Sequence, residues 1–162
     1  MLATRLSVFA LLGLGSLVTV AGPDPASTAA VALRDSWVRA LPPTQTSTAA
    51  YLTVANEGEV PVKVVAASAP VAARVEIHTT REVDGLMRME QLQELAVPPG
   101  MNVDLAPGGT HLMLLELERM PGVGEVIRLC LQLEPGGQVC TDAPVRKSSA
   151  AEGGHHHHHH TE

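Results

Sequence analysis

A chain of 162 residues with a formal net charge of −6 is one domain in length, and its basic residues are scattered without the positive face that a nucleic acid would need. Aromatic residues are nearly absent. Beyond Phe9 there are Trp37 and Tyr51 alone, so stacking surfaces for bases or sugars are lacking and any core must be built of Val, Leu, Ile, Ala and Met.

Taken in chain order, residues 1–21 read as a secretory signal. Arg5 is the single positive charge, an apolar run follows, and Thr19-Val20-Ala21 offers small residues for cleavage. The run is shorter than the ~20 residues of a spanning helix and contains Gly13 and Gly15, which makes a membrane anchor the weaker reading. No nearby cysteine follows it to carry a lipid. The expected location is the periplasm, with no membrane contact beyond the signal. Residues 22–30, rich in Pro, Ser, Thr and Ala, form a flexible lead-in.

From residue 31 onward the pattern is short segments of period two, broken by Pro and Gly. Strands are expected at 36–40, 50–56, 60–67 and 74–79. Asp84-Gly85 is a strong hairpin turn leading into 86–90 and on towards Val97. Pro98-Pro99-Gly100 and Pro107-Gly108-Gly109 bracket a strand at 101–105. Further strands are expected at 110–117, 125–133 and 138–145, the last two joined by Glu134-Pro135-Gly136-Gly137. No window of helical length sustains an apolar stripe. Residues 31–147 therefore read as one all-β domain, an antiparallel sandwich or barrel, whose strand order is not visible in the pattern. Residues 148–162 are polar and small and are expected to be a disordered tail. It contains His155, His156, His157, His158, His159 and His160, either a native metal-binding run or an expression tag.

Four residues carry the candidate chemistry. His111 and Met113 stand at i and i+2, on one face of a strand. His78 and Met89 flank the Asp84-Gly85 turn, with Met87 one pleat away on Met89's face. A hairpin centred near Asp84 sets His78 roughly opposite Glu90, beside Met89. Thioether sulfur binds Cu(I) well and Zn(II), Mg(II) or Ca(II) poorly, while imidazole suits copper in both oxidation states. Two His and two Met make a neutral set that needs no deprotonation beyond that of histidine. Against this, a methionine on a strand is more often core filler, a reading open to Met101, Met113 and Met120. A lone histidine is more often simply hydrogen-bonded.

The spacing His-x10-Met-x21-His-x-Met at His78, Met89, His111 and Met113 resembles that of the periplasmic copper chaperone family PCuAC. Trp37-Val38-Arg39-Ala40-Leu41-Pro42-Pro43, Ala50 to Asn56, Val75-Glu76-Ile77-His78, Gly85-Leu86-Met87-Arg88-Met89 and Leu105 to Leu114 are similar to the segments around its strands and ligands. The resemblance covers about residues 31–145. It implies a cupredoxin-like β-sandwich or Greek-key barrel with an exposed Cu(I) site of two His and two Met, Met87 being an additional candidate. It further implies delivery of copper, or its reduction and handling, towards the CuA centre of cytochrome c oxidase. The partners are then copper and subunit II of that oxidase, or another copper-accepting or copper-donating protein. Some members hold a second copper, Cu(II), on a C-terminal extension, a role that His155 to His160 would suit. A monomeric carrier that is not an enzyme is expected, working by ligand exchange from a shallow site.

A hairpin centred on Pro135 sets Cys130 and Cys140 opposite each other, at a separation a disulfide can span. Cys130 shares its face with Arg128 and Gln132, and no Cys-x-x-Cys exists. A structural disulfide is the first reading, a thiolate pair the second. Rival functions are copper storage or resistance, and a metal-free structural sandwich. A blue-copper electron carrier would need a Cys ligand with a nearby His, and a hydrolase would need a nucleophile signature such as Gly-x-Ser-x-Gly. Neither pattern is found in the sequence.

Overall fold

Ten strands and no helix make up residues 31–148, the part of the chain described by the computed structural model. They are β1 (Val31–Arg39), β2 (Thr48–Asn56), β3 (Val62–Ser68), β4 (Ala72–Val83), β5 (Leu86–Leu92), β6 (Leu95–Val97), β7 (Asn102–Leu105), β8 (His111–Leu117), β9 (Val126–Glu134) and β10 (Gly137–Arg146). The expected signal at 1–21, the lead-in at 22–30 and the histidines at 155–160 lie outside the described residues.

Seven strands close on themselves in the order β4-β8-β2-β1-β10-β9-β3, the ring completed where Ala67 of β3 pairs with Val75 of β4. β5 extends from β4, β6 from β3, and β7 lies on β2 beside β8. Closure leaves the seven barrel strands paired on both sides. The all-β expectation holds, with one departure from a purely antiparallel arrangement. β1 and β10 run parallel, Val38 beside Val145 and Arg39 beside Arg146.

Period-two alternation explains why these segments are strands. On β9, Ile127, Leu129, Leu131 and Leu133 point inward while Arg128, Gln132 and Glu134 point out. Val38, Leu52, Val54, Val64, Leu112, Leu114, Leu129, Leu131, Leu133 and Val145 are each at most 2% exposed and fill the barrel. Each such side chain contributes roughly 1.5–3 kcal/mol of burial. Met120 joins this interior, whereas Met101 is exposed.

Several strand boundaries differ from the sequence reading by one or two residues, and three differences are larger or change the strand count. β1 begins at Val31 rather than residue 36. A bulge between Arg34 and Trp37, with Asp35 at φ 52°, breaks the alternation that would have revealed its first half. β4 runs on both sides of the expected 74–79. The expected continuous run from 86 towards Val97 is two strands, because after Leu92 the chain leaves β4 and pairs with β3 through β6.

The hairpin register is the most consequential difference. Asp84 and Gly85 both have positive φ, 54° and 76°, as a two-residue type I′ turn requires. The axis therefore falls between them, and Val83 pairs with Leu86. His78 faces Gln91, not Glu90, and Met89 faces Thr80. A slip of one residue reverses the faces. Only in the observed register do His78, Thr80 and Met89 leave the same side of the sheet.

At the other hairpin, Cys130 and Cys140 are directly paired with Cα atoms 4.0 Å apart, and their sulfurs are bonded. The disulfide lies on the outer face of β9 and β10.

Candidate metal centre

The centre is built on the outward face of four neighbouring strands, β5-β4-β8-β2. β8 alternates, so Leu112 and Leu114 enter the core while His111 and Met113 face out. Across β4 and β8, His78 pairs with His111 and Glu76 with Met113. On the other side of β8, Ala49 of β2 pairs with Met113. The two imidazoles have centroids 6.2 Å apart with planes inclined by 38°. With metal–nitrogen bonds of ~2 Å, that spacing is compatible with one ion held between the two rings.

β2 is buried on both faces, and the reason lies at this site. Trp37, Ala49 and Tyr51 form a second small apolar cluster outside the barrel, against which Met113 packs. The Trp37 and Tyr51 rings are 4.5 Å apart, and Tyr51 lies 6.3 Å from His111. The guanidinium of Arg146 sits 4.2 Å from the Trp37 ring centroid and that of Arg39 sits 5.2 Å from that of Tyr51, both favourable cation–π distances. Met113 is thus packed against neighbours as well as available as a donor.

Each histidine has one ring nitrogen engaged. His111 Nδ1 lies 2.9 Å from the carbonyl oxygen of Gly109, an atom that only accepts, so Nδ1 carries the hydrogen and Nε2 the lone pair. The Gly109 carbonyl also receives the Thr80 amide at 3.2 Å. The β7–β8 turn that makes this possible has Gly108 at φ 82° and is closed by a bond from the Ala106 amide to the Thr110 carbonyl at 2.7 Å. His78 Nε2 lies 2.9 Å from Glu76 Oε2, and His78 Nδ1 is buried with no hydrogen-bond partner.

A cavity of about 240 Å³ opens beside the pair, lined among others by Arg39, Tyr51, Thr80, Met89, His111 and Met113. His111 is 5% exposed and Met89 54%, so the site is closed at His111 and open at the hairpin. His78, the cross-strand partner of His111, does not line this cavity. Met87, one pleat nearer the hairpin tip, is 63% exposed and does not line it either.

The donors present suit a soft ion. Among the described residues no three His, Cys, Asp or Glu side chains converge in an arrangement that would hold a metal. Met89 and Met113 offer thioether sulfur at this place, a donor that suits Cu(I) better than zinc or the hard cations. The orphaned His78 nitrogen is a lone pair that an ion would satisfy.

Several neighbours were not singled out from the sequence. Glu76 was legible, being two residues before His78 on the same face of one strand. Thr80, two residues after His78 on that strand, was legible in the same way, whereas Tyr51 and Arg39 were not, because their proximity depends on the register of β2 on β8 and of β1 on β2.

Residues 31–145 match the family described as "Putative lipoprotein LpqE-like". The chain belongs to the LpqE-like family. Over 120 residues it is 30% identical to "Putative lipoprotein Lxx21020" of Leifsonia xyli subsp. xyli, covering 74% of this chain and 71% of that protein. Among solved structures, the LpqE-like domain is similar to the solution structure of CuI-DR1885 from Deinococcus radiodurans, at 32% identity, TM-score 0.58, and coverage of 71% of this chain and 76% of that one. The apo form of DR1885 is similar over 90% of this chain and 97% of that one, with 28% identity and TM-score 0.58. The copper-bound PCuAC domain from PmoF2 shares the fold, at TM-score 0.62 and 24% identity over 74% of this chain and 94% of that domain. The LpqE-like barrel is cupredoxin-like.

Proposed function

We propose that this LpqE-like protein is an exported Cu(I) carrier that holds one ion with His78, Met89, His111 and Met113 and hands it on by ligand exchange. The observation that carries the reading is the His78–His111 pair across β4 and β8, 6.2 Å between ring centroids, with Met113 and Met89 on the same face. The 32% identity to a protein solved with Cu(I) supports it. Met87 serves as a spare donor at the hairpin, and His155 to His160 as a separate Cu(II) site.

An acceptor approaches from the cavity side, where Met89 is exposed. Thioether bonds are replaced one at a time by incoming ligands, so the ion is never free, and the imidazoles, less exposed than Met89, release it last. The role assigned by this reading is that of a carrier rather than a catalyst, which the likeness to a protein solved with Cu(I) supports. Export to the periplasm is supported by the signal-like residues 1–21 and by the word lipoprotein in the names of the family and of the Leifsonia relative. We place delivery at the CuA centre of cytochrome c oxidase subunit II, the destination implied by the PCuAC resemblance, with a monomer as the working form.

The test is anaerobic Cu(I) titration against a competing chelator, with X-ray absorption on the loaded protein before and after removal of residues 148–162. The expected result is one tightly held Cu(I) with two sulfur and two nitrogen ligands, retained without the tail. Loss of Cu(I) binding on removing the tail would place the metal elsewhere. Transfer to an isolated CuA domain, followed by the spectrum of the acceptor, tests the destination.

A further inference from the structure

We propose that Glu76 is the positioning residue of the centre, and that copper meets the two histidines through different atoms, Nδ1 of His78 and Nε2 of His111. This inference rests on the Cu(I) site proposed above.

Glu76 and His78 are two residues apart on β4, so their side chains leave the same face. A carboxylate oxygen accepts and does not donate. The 2.9 Å contact between Glu76 Oε2 and His78 Nε2 therefore places a hydrogen on Nε2, which in the neutral ring leaves the lone pair on Nδ1. Nδ1 is the nitrogen that is buried without any protein partner. Buried polar atoms left unpaired are rare and costly, and the ring that carries this one lies 6.2 Å, centroid to centroid, from that of His111. On His111 the assignment is reversed, because the Gly109 carbonyl holds the hydrogen on Nδ1 at 2.9 Å and leaves Nε2 as the donor.

Both second partners are themselves anchored. The other oxygen of Glu76 lies 3.6 Å from Arg74 Nε, and Arg74 Nη2 lies 3.2 Å from Glu116. A line of alternating charge, Glu116-Arg74-Glu76, thus runs along β8 and β4 and ends on His78. The Gly109 carbonyl is shared with the amide of Thr80, the residue facing Met89. Glu76 also stands in register opposite Met113, so the site formed by four neutral donors has one anion beside it to offset the charge of the ion. A carboxylate behind an imidazole fixes its orientation and raises its basicity as a ligand, and loss of such a partner typically costs about 10–100-fold in metal affinity.

The experiment uses the full chain and two-bond ¹H–¹⁵N spectra of assigned histidine rings, feasible because Cu(I) is diamagnetic. In the metal-free protein His78 is expected in the Nε2–H form and His111 in the Nδ1–H form. Cu(I) loading is expected to shift Nδ1 of His78 and Nε2 of His111. Following the His111 resonances against a competing chelator, Glu76→Ala is expected to lower Cu(I) affinity about 10–100-fold while the metal-free melting temperature stays close to that of the parent. Glu76→Gln, which keeps an acceptor oxygen but not the charge, is expected to lose less. A loading shift at Nε2 of His78 overturns the proposal without needing any variant. So does a Glu76→Ala protein with unchanged affinity, provided His111→Ala, followed through the His78 resonances, weakens binding. Should His111→Ala also leave affinity unchanged, the copper site itself is wrong and both readings fall.

Discussion

Gly109 and His111 form a local clamp, the carbonyl of the first holding Nδ1 of the second at 2.9 Å while it accepts the Thr80 amide at 3.2 Å. One backbone oxygen thereby fixes the tautomer of an imidazole and ties the β7–β8 turn to β4. The imidazole it orients faces His78, and the strand it anchors carries the residue opposite Met89. Local backbone geometry and the arrangement of the donors are coupled at this atom.

His111→Ala and Met113→Leu should each weaken Cu(I) binding roughly tenfold or more, ~1.4 kcal/mol or above. Leucine replaces methionine with little change of volume, so Met113→Leu should cost less than ~1.5 kcal/mol of stability and keep the Trp37–Tyr51 cluster covered. Chelator competition together with urea unfolding separates the two effects. Parent-like affinity in both variants would remove these residues from the site.

Met89 and Met87 should behave unequally. Both are exposed, so Leu at either position should change stability by no more than ~0.5 kcal/mol. Met89 lines the cavity and Met87 does not. Met89→Leu should therefore reduce Cu(I) affinity by the larger factor, measured in the same competition assay. An equal or greater loss at Met87 would move the sulfur ligand towards the hairpin tip.

Breaking the Cys130–Cys140 bridge should cost stability without touching copper. The bridge spans a sequence separation of 10, and the chain-entropy account gives about 2–3 kcal/mol for a loop of this size. The double Cys→Ser variant should unfold at lower urea concentration yet bind Cu(I) as the parent does. Loss of Cu(I) binding in a folded variant would bring the cysteines into the site.

Glu125 should give the fold a small acid sensitivity. Hydrogen bonds from Arg119, then the Gly122 amide, hold its carboxyl at about 2, down from the ordinary 4.5. Its folded value lies below its unfolded one, so the stabilisation is complete above about pH 4.5 and is lost as pH falls towards 2. Glu125→Gln should be less stable than the parent at neutral pH, the difference vanishing near pH 2. Because the pair is exposed, salt should shrink it as well. Thermal melts across pH and salt check both dependences, and a constant difference down to pH 2 would argue against the pairing.

The sequence by itself determined the material of this protein. Alternation such as that of Ile127, Leu129, Leu131 and Leu133 dictates strands, since a period of two can bury one face and wet the other. Asp84-Gly85 dictates a tight turn because both positions take positive φ. The types of the donors, imidazole and thioether, set which ion they would suit. What only the tertiary structure decided is who stands next to whom. The one-residue shift that puts His78 opposite Gln91 and brings Met89 to its face depends on where the turn axis falls. The closure of the barrel, the parallel pairing of β1 with β10 and the placement of Tyr51 beside His111 depend on contacts between segments far apart in the chain. Such contacts leave no local periodicity, because each strand's pattern records which face is buried but not which strand will lie beside it.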